Sequence, residues 1–125
     1  VTTMTMPSTV AAVFAAAADR LTLNGHYVGD FVKPSALAVP AAQLPLAERE
    51  LCVAAAIQLA ATGDPLRSCA LSRWALWLLA DHVAEVTVHP DDEFDALTQL
   101  DAWEDLVPDS AVVQTLLDLA GQVTA

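Results

Sequence analysis

The chain has 125 residues, 55% of them hydrophobic, with sixteen acidic side chains against five basic ones and a net charge of −11. That length is enough for one domain with a real core, without disulfides or metal in place of packing. The acidic balance repels phosphate backbones and anionic lipid, which sets nucleic-acid and membrane-surface partners aside.

Residues 1–7 carry no periodic pattern and read as a flexible segment ahead of one helical domain over residues 8–125. Ser8 offers an N-cap, and Val10, Val13, Phe14, Ala17 and Leu21 recur at helical spacing as one apolar stripe. Asn24-Gly25 supplies the stop. The apolar run Val10 to Ala18 has no Lys or Arg before it and is broken by Asp19 and Arg20, so it reads as a helix face and not as a secretion signal. His26 to Val32 has β-branched and aromatic content and suits a short strand or extended loop. Pro34, Pro40 and Pro45 then prevent a continuous helix and leave a long connection able to cover part of the core.

A second helix is expected from Pro45 or Leu46 to Gly63, with Glu48 and Glu50 in its first turns and Leu51 or Cys52, Ala55, Ala56 and Leu59 facing inward. Asp64-Pro65 looks like an N-cap and first-turn proline opening a third helix, with Leu71, Trp74, Ala75, Leu78 and His82 on one side. Because Trp77 and Leu79 fall elsewhere on its wheel, this helix is the expected centre of the bundle. Glu85 to Val88 suits a second short strand, paired with the segment near Tyr27 in a two-stranded ribbon. Pro90 with Asp91, Asp92 and Glu93 opens a fourth helix bearing Phe94, Leu97 and Leu100 or Asp101, with Trp103 near its end. Val107-Pro108 breaks the chain before a last helix capped by Asp109 or Ser110 and apolar at Val112, Val113, Leu116, Leu117, Ala120 and Val123. The expected class is all-α or mainly α, a compact bundle of four to five helices with room for that one ribbon.

Few constellations here carry chemistry. His26, Tyr27 and Asp30 bring a titratable imidazole close to a carboxylate, yet the same residues serve equally to pack and to satisfy a turn. Cys52 near a helix start is a candidate nucleophile, with His26 or His82 as base, although its Leu-Cys-Val-Ala-Ala context favours a core thiol, and Cys69 reads the same way. Two cysteines in apolar patterns form neither a disulfide framework nor a zinc set, and they fit a reducing cytoplasm. His26, His82 and His89 lack the spacing of a metal-binding helix, so neither metal nor other cofactor is expected. The acidic run at Asp91 lacks the alternation of a calcium loop. Trp74, Trp77 and Trp103 fill a core or mark a partner surface.

The stretches Ala15-Ala-Ala-Ala-Asp-Arg-Leu with Gly25-His26-Tyr27-Val28-Gly29, then Leu51-Cys52-Val53-Ala54-Ala55-Ala56-Ile57, then Ala102-Trp103-Glu104-Asp105 before the Val112 to Leu119 helix, follow a recognisable order. In that order the chain resembles the actinobacterial and actinophage domain of unknown function 6197 family. It departs from the pattern at three positions: His26 stands where an aromatic residue is usual, Ala55 where glycine follows the cysteine, and Glu104 where asparagine is usual. The resemblance implies a helical fold with Cys52 and Trp103 placed close to the His26 turn, and implies no activity.

The function expected from these features is a small acidic cytoplasmic module that docks on a protein partner or on itself, without catalysis. A lysine-poor, Ala-, Asp- and Val-rich composition suits a high-GC bacterial or phage genome, in which case a basic host protein is a natural target. Two alternatives stand beside it: a cysteine-dependent hydrolase or transferase using Cys52, His26 and Asp30, and a small-molecule binding domain. The candidate binding residues are His26, Tyr27, Asp30, Cys52 and Trp103.

Overall fold

A computed structural model describes residues 8–28, 48–84 and 88–123. Among them are five helices: α1 (Val10–Asn24), α2 (Val53–Thr62), α3 (Ala70–Val83), α4 (Glu93–Leu106) and α5 (Asp109–Gln122). The architecture is an all-α bundle in which α1 packs on α5, α3 packs on α4, and α2 touches α1, α3 and α4. No strand is formed among the described residues; His26 makes one isolated parallel bridge to Leu51, and Val86, the other half of the expected ribbon, lies outside them. Residues 1–7 and the proline-bearing connection, with Asp30, also lie outside.

Helix α1 follows its sequence pattern closely. Thr9, one residue later than expected, caps it by accepting the Ala12 N–H at 3.2 Å, and Val13, Phe14, Ala17, Ala18 and Leu21 are buried. It ends at Gly25, whose φ of 97° is unfavourable for any residue with a Cβ. A Cβ there would also sit 2.9 Å from Glu50 Cγ, so the close passage of the two chain segments requires glycine. Beyond this turn Tyr27 N–H donates to Leu51 O at 2.9 Å and Leu51 N–H to Gly25 O at 3.0 Å.

That pairing holds residue 51 extended, which is why α2 starts at Val53 and not near Pro45. Cys52 is its N-cap, with Sγ accepting the Ala55 N–H at 3.4 Å, and Gly63 in the left-handed conformation closes it. All eight residues from Val53 to Ala60 are buried, Gln58 among them with its amide donating to Pro65 O. A helix apolar on every side belongs in the interior, and alanine at 54, 55, 56 and 60 lets its neighbours approach closely. The central helix is therefore α2, where the sequence pointed to α3.

Asp64 and Pro65 form a turn instead of a helix start: Asp64 Oδ1 accepts the Leu66 N–H at 2.9 Å and the Arg67 N–H reaches Asp64 O. Helix α3 begins at Ala70 behind Cys69, whose Sγ accepts the Ser72 N–H while the Ser72 hydroxyl accepts the Cys69 N–H, a reciprocal cap built on sulfur. Its buried face is Ser72, Ala75, Leu76, Leu79 and Ala80, rotated from the Trp74 and His82 side that the pattern favoured. In α4 the inward row is Ala96, Leu100 and Glu104, and Phe94 is 80% exposed. Pro108 precedes α5, which has no side-chain cap and buries Val112, Leu116 and Leu119.

Two phenylalanines of equal intrinsic hydrophobicity thus sit in opposite environments. Phe14→Ala, at a site with no exposure, is expected to cost about 3–5 kcal/mol. Phe94→Ala should stay within about 0.5 kcal/mol of the parent. Urea denaturation of both variants measures the difference, and comparable losses would contradict the burial described.

Candidate functional site

The start of α2 gathers His26, Cys52 and the buried carboxylate of Glu104. Its first turn carries no acidic residue of its own, and its cap is a thiol, a weak acceptor. The missing charge comes from α4, where the row Ala96, Leu100 and Glu104 carries a carboxylate inward with only 1% of its side chain exposed. Glu104 Oε1 accepts the Val53 N–H at the positive end of α2.

His26 completes the cluster. The bridge to Leu51 sets its backbone beside α2, and its ring, 2% exposed, lies with Nε2 2.9 Å from Glu104 Oε1 and Nδ1 2.7 Å from Asp109 Oδ1. Burial pulls the imidazole pKa down, but hydrogen bonds to Glu104 and Asp109 and the charges of both carboxylates outweigh it and raise the value above the usual 6.5. As an imidazolium the ring donates from both nitrogens, whereas a neutral ring donates from one and turns a lone pair on a carboxylate with the other. Asp109, 75% exposed, is the solvated member, and Glu104 is the buried one.

Cys52 shares this neighbourhood without sharing its reactivity. Burial, and secondarily the negative charge of Glu104, push its thiol up to about 12, so it stays protonated at neutral pH. Both nitrogens of His26 already face carboxylates, which leaves neither positioned as a base for Cys52. The second thiol behaves differently. Cys69 is partly exposed, and although burial raises its pKa, the Ser72 and Leu71 backbone, the Ser72 hydroxyl and the Arg73 charge together lower it.

Of the residues singled out by sequence, His26 and Cys52 come together around Glu104, and half-buried Tyr27 joins them through its backbone bond to Leu51. Trp103 is one residue from Glu104 but about 100° around the helix. It lines a separate groove of about 420 Å³ with Val83, Gln99, Leu106 and Val107. Glu104 and Asp109 were not among the candidates read from sequence. The signal for Glu104 was present: a carboxylate spaced four and eight residues from Leu100 and Ala96 on an inward row. Asp109 had no comparable signal, since an acid in a first helical turn is ordinary. Among the described residues no group of three or more ligating side chains could hold a metal ion, and no helix is long and apolar enough to cross a membrane.

A second polar feature lies between α3 and the start of α4. Trp74 and Trp77 stack with ring centroids 4.8 Å apart and planes tilted by 32°, and Trp77 Nε1–H donates to Val88 O at 2.7 Å. They line a groove of about 290 Å³ together with Arg73, Asp91, Asp92 and Glu93.

Compared with known proteins, residues 5–123 match the family model described as Family of unknown function (DUF6197). No curated protein and no solved structure matches the chain.

Removing one partner from such a cluster is costlier than the cluster is worth. Glu104→Ala, which orphans the Val53 N–H and leaves His26 with only an exposed partner, should lose about 3–5 kcal/mol in chemical denaturation. Asp109→Asn should lose no more than about 1 kcal/mol. The raised pKa fixes a sign as well: the His26 contribution is complete below 6.5 and is lost as pH rises through the higher folded value. The stability gap between the parent and His26→Ala should therefore narrow as pH rises above 6.5, and a gap that widens instead would refute an imidazolium in the cluster.

Proposed function

The chain belongs to the DUF6197 family of unknown function, and we propose that it acts without catalysis, as a small acidic protein-interaction module working in a reducing cytoplasm. The observation that carries this reading is the groove between α3 and α4. There Trp74, 49% exposed, stands beside three carboxylates on a chain of net charge −11. Indoles are enriched where partners bind. The surrounding acids would steer a basic partner towards Trp74. If the gene is carried by a phage, a basic host protein is the natural target.

The interior supports the same reading from the other direction. A cysteine-dependent hydrolase or transferase requires a thiolate, whereas Cys52 is protonated and buried, and its neighbouring imidazole is engaged on both sides. One observation favours a different reading, small-molecule binding. The Trp103 groove is large enough for a modest ligand, and a compound seated there would raise the melting temperature of the parent more than that of Trp103→Ala.

The test is affinity capture from host lysate with the parent and with a variant in which Asp91, Asp92 and Asp95 are all changed to Asn. A protein retained by the parent and lost by the variant and at raised salt is the expected outcome. Retention by both, insensitive to salt, would count against an electrostatic module. Iodoacetamide under native conditions at neutral pH should label Cys69 and spare Cys52 until the chain is unfolded, as read by peptide mass mapping. Rapid native labelling of Cys52 would restore the enzyme reading.

A further inference from the structure

We propose that the groove between α3 and the start of α4 receives an arginine side chain from a basic segment of the protein partner. This rests on the interaction-module reading and names the chemistry of its ligand. Three features define the occupant. The indole wall is fixed, because Trp77 is tied to Val88 O and Trp74 is stacked on Trp77 at 4.8 Å, so a planar group meets a preorganised aromatic surface. The rest of the polar lining is anionic, with three carboxylates against the single guanidinium of Arg73.

Those carboxylates retain acceptor capacity. Asp92 Oδ1 accepts one N–H, from Asp95, and Glu93 Oε1 accepts the Ser68 hydroxyl at 3.3 Å. The Asp91 side chain is 93% exposed and lies 4.0 Å from the nearest imidazole nitrogen of His89. Each carboxylate offers about four lone-pair sites, so a forked donor can be accommodated.

The chain's own cation does not fill the groove. Arg73 Nη1–H donates to Ser68 Oγ at 3.4 Å, and the Ser68 hydroxyl donates to Glu93, so the Arg73 charge is held at that side of the groove and competes with an incoming cation. Arginine fits better than lysine because its plane stacks on an indole while its edge forks to a carboxylate, whereas an ammonium is a strongly hydrated point charge. Phosphate-bearing ligands are repelled by the same lining.

Isothermal titration calorimetry of the full chain against a short blocked arginine-glycine repeat peptide tests the assignment, with lysine and citrulline counterparts as controls. The arginine peptide should bind about tenfold tighter than the uncharged citrulline peptide of the same shape. Trp74→Ala should abolish that preference, and Asp91→Asn with Asp92→Asn should weaken binding and flatten its salt dependence. Arg73→Gln should strengthen it. Equal affinity for arginine and citrulline, or for arginine and lysine, or full affinity in Trp74→Ala with its circular dichroism unchanged, would overturn the assignment. Lysate capture separates the two levels. A partner held in a salt-sensitive way by both the parent and Trp74→Ala leaves the module reading standing and removes the groove. Arginine-selective peptide binding supports the groove even where capture fails and the module reading falls.

Discussion

A carboxylate in a protein interior costs several kcal/mol unless its surroundings answer it, and the Glu104 side chain is only 1% exposed. Two groups answer it here: the Val53 N–H at the positive end of α2 and the His26 ring. Each is supplied by a different part of the chain from α4, which carries Glu104. The groups can meet only if the Gly25 turn, the extended residues around Leu51 and the end of α4 take one relative placement. Buried ion clusters of this kind are often replaceable by apolar side chains without loss of stability. What this cluster contributes is positional: α2, an alanine-rich helix whose faces are alike, is told where to begin and which neighbour to face.

How much of this was legible follows from where the determining interactions lie. Helix α1 was readable because its apolar stripe and its glycine stop are local, and a glycine required by both φ and the approach of Glu50 advertises itself. The start of α2 was not, because it is set by hydrogen bonds between residues 25 and 51 that no window around Cys52 contains, and because sulfur is an uncommon cap. In α3 the indole of Trp74 outweighed Ser72 in any hydrophobic pattern, yet Ser72 is the fully buried one, its hydroxyl occupied in closing the cap with Cys69. The ribbon expected beside Tyr27 is replaced, on that side, by a single bridge to Leu51. Of the site, the family resemblance implied the nearness of Cys52 to the His26 turn, whereas Glu104, which faces both, meets partners 51 and 78 residues away that no local window contains.

The two thiols show how little position alone determines. Each caps a helix through the same 3.4 Å contact from a backbone N–H, and each therefore meets the same helix end. Their pKa values move in opposite directions because Cys52 is buried next to the charge of Glu104, whereas Cys69 is partly open and next to Arg73. A helix N-terminus activates a thiol only when burial and a nearby carboxylate do not outweigh it.

Helix α4 links the interior to the surface. Glu93 in its first turn lines the Trp74 groove, and Glu104, eleven residues on and about 16 Å along the axis, is fixed in the cluster at α2. The inward row of Ala96 and Leu100 joins the two ends. Asp101, in the same stretch of α4, has a raised pKa, from partial burial and from repulsion by Asp105. A groove built on an anchored helix loses little freedom when a partner binds, and that loss is a large part of what opposes association. Under the proposed docking, the buried cluster bears on recognition indirectly. By holding α4 in place at one end, it sets the carboxylates at the other against the indoles of α3.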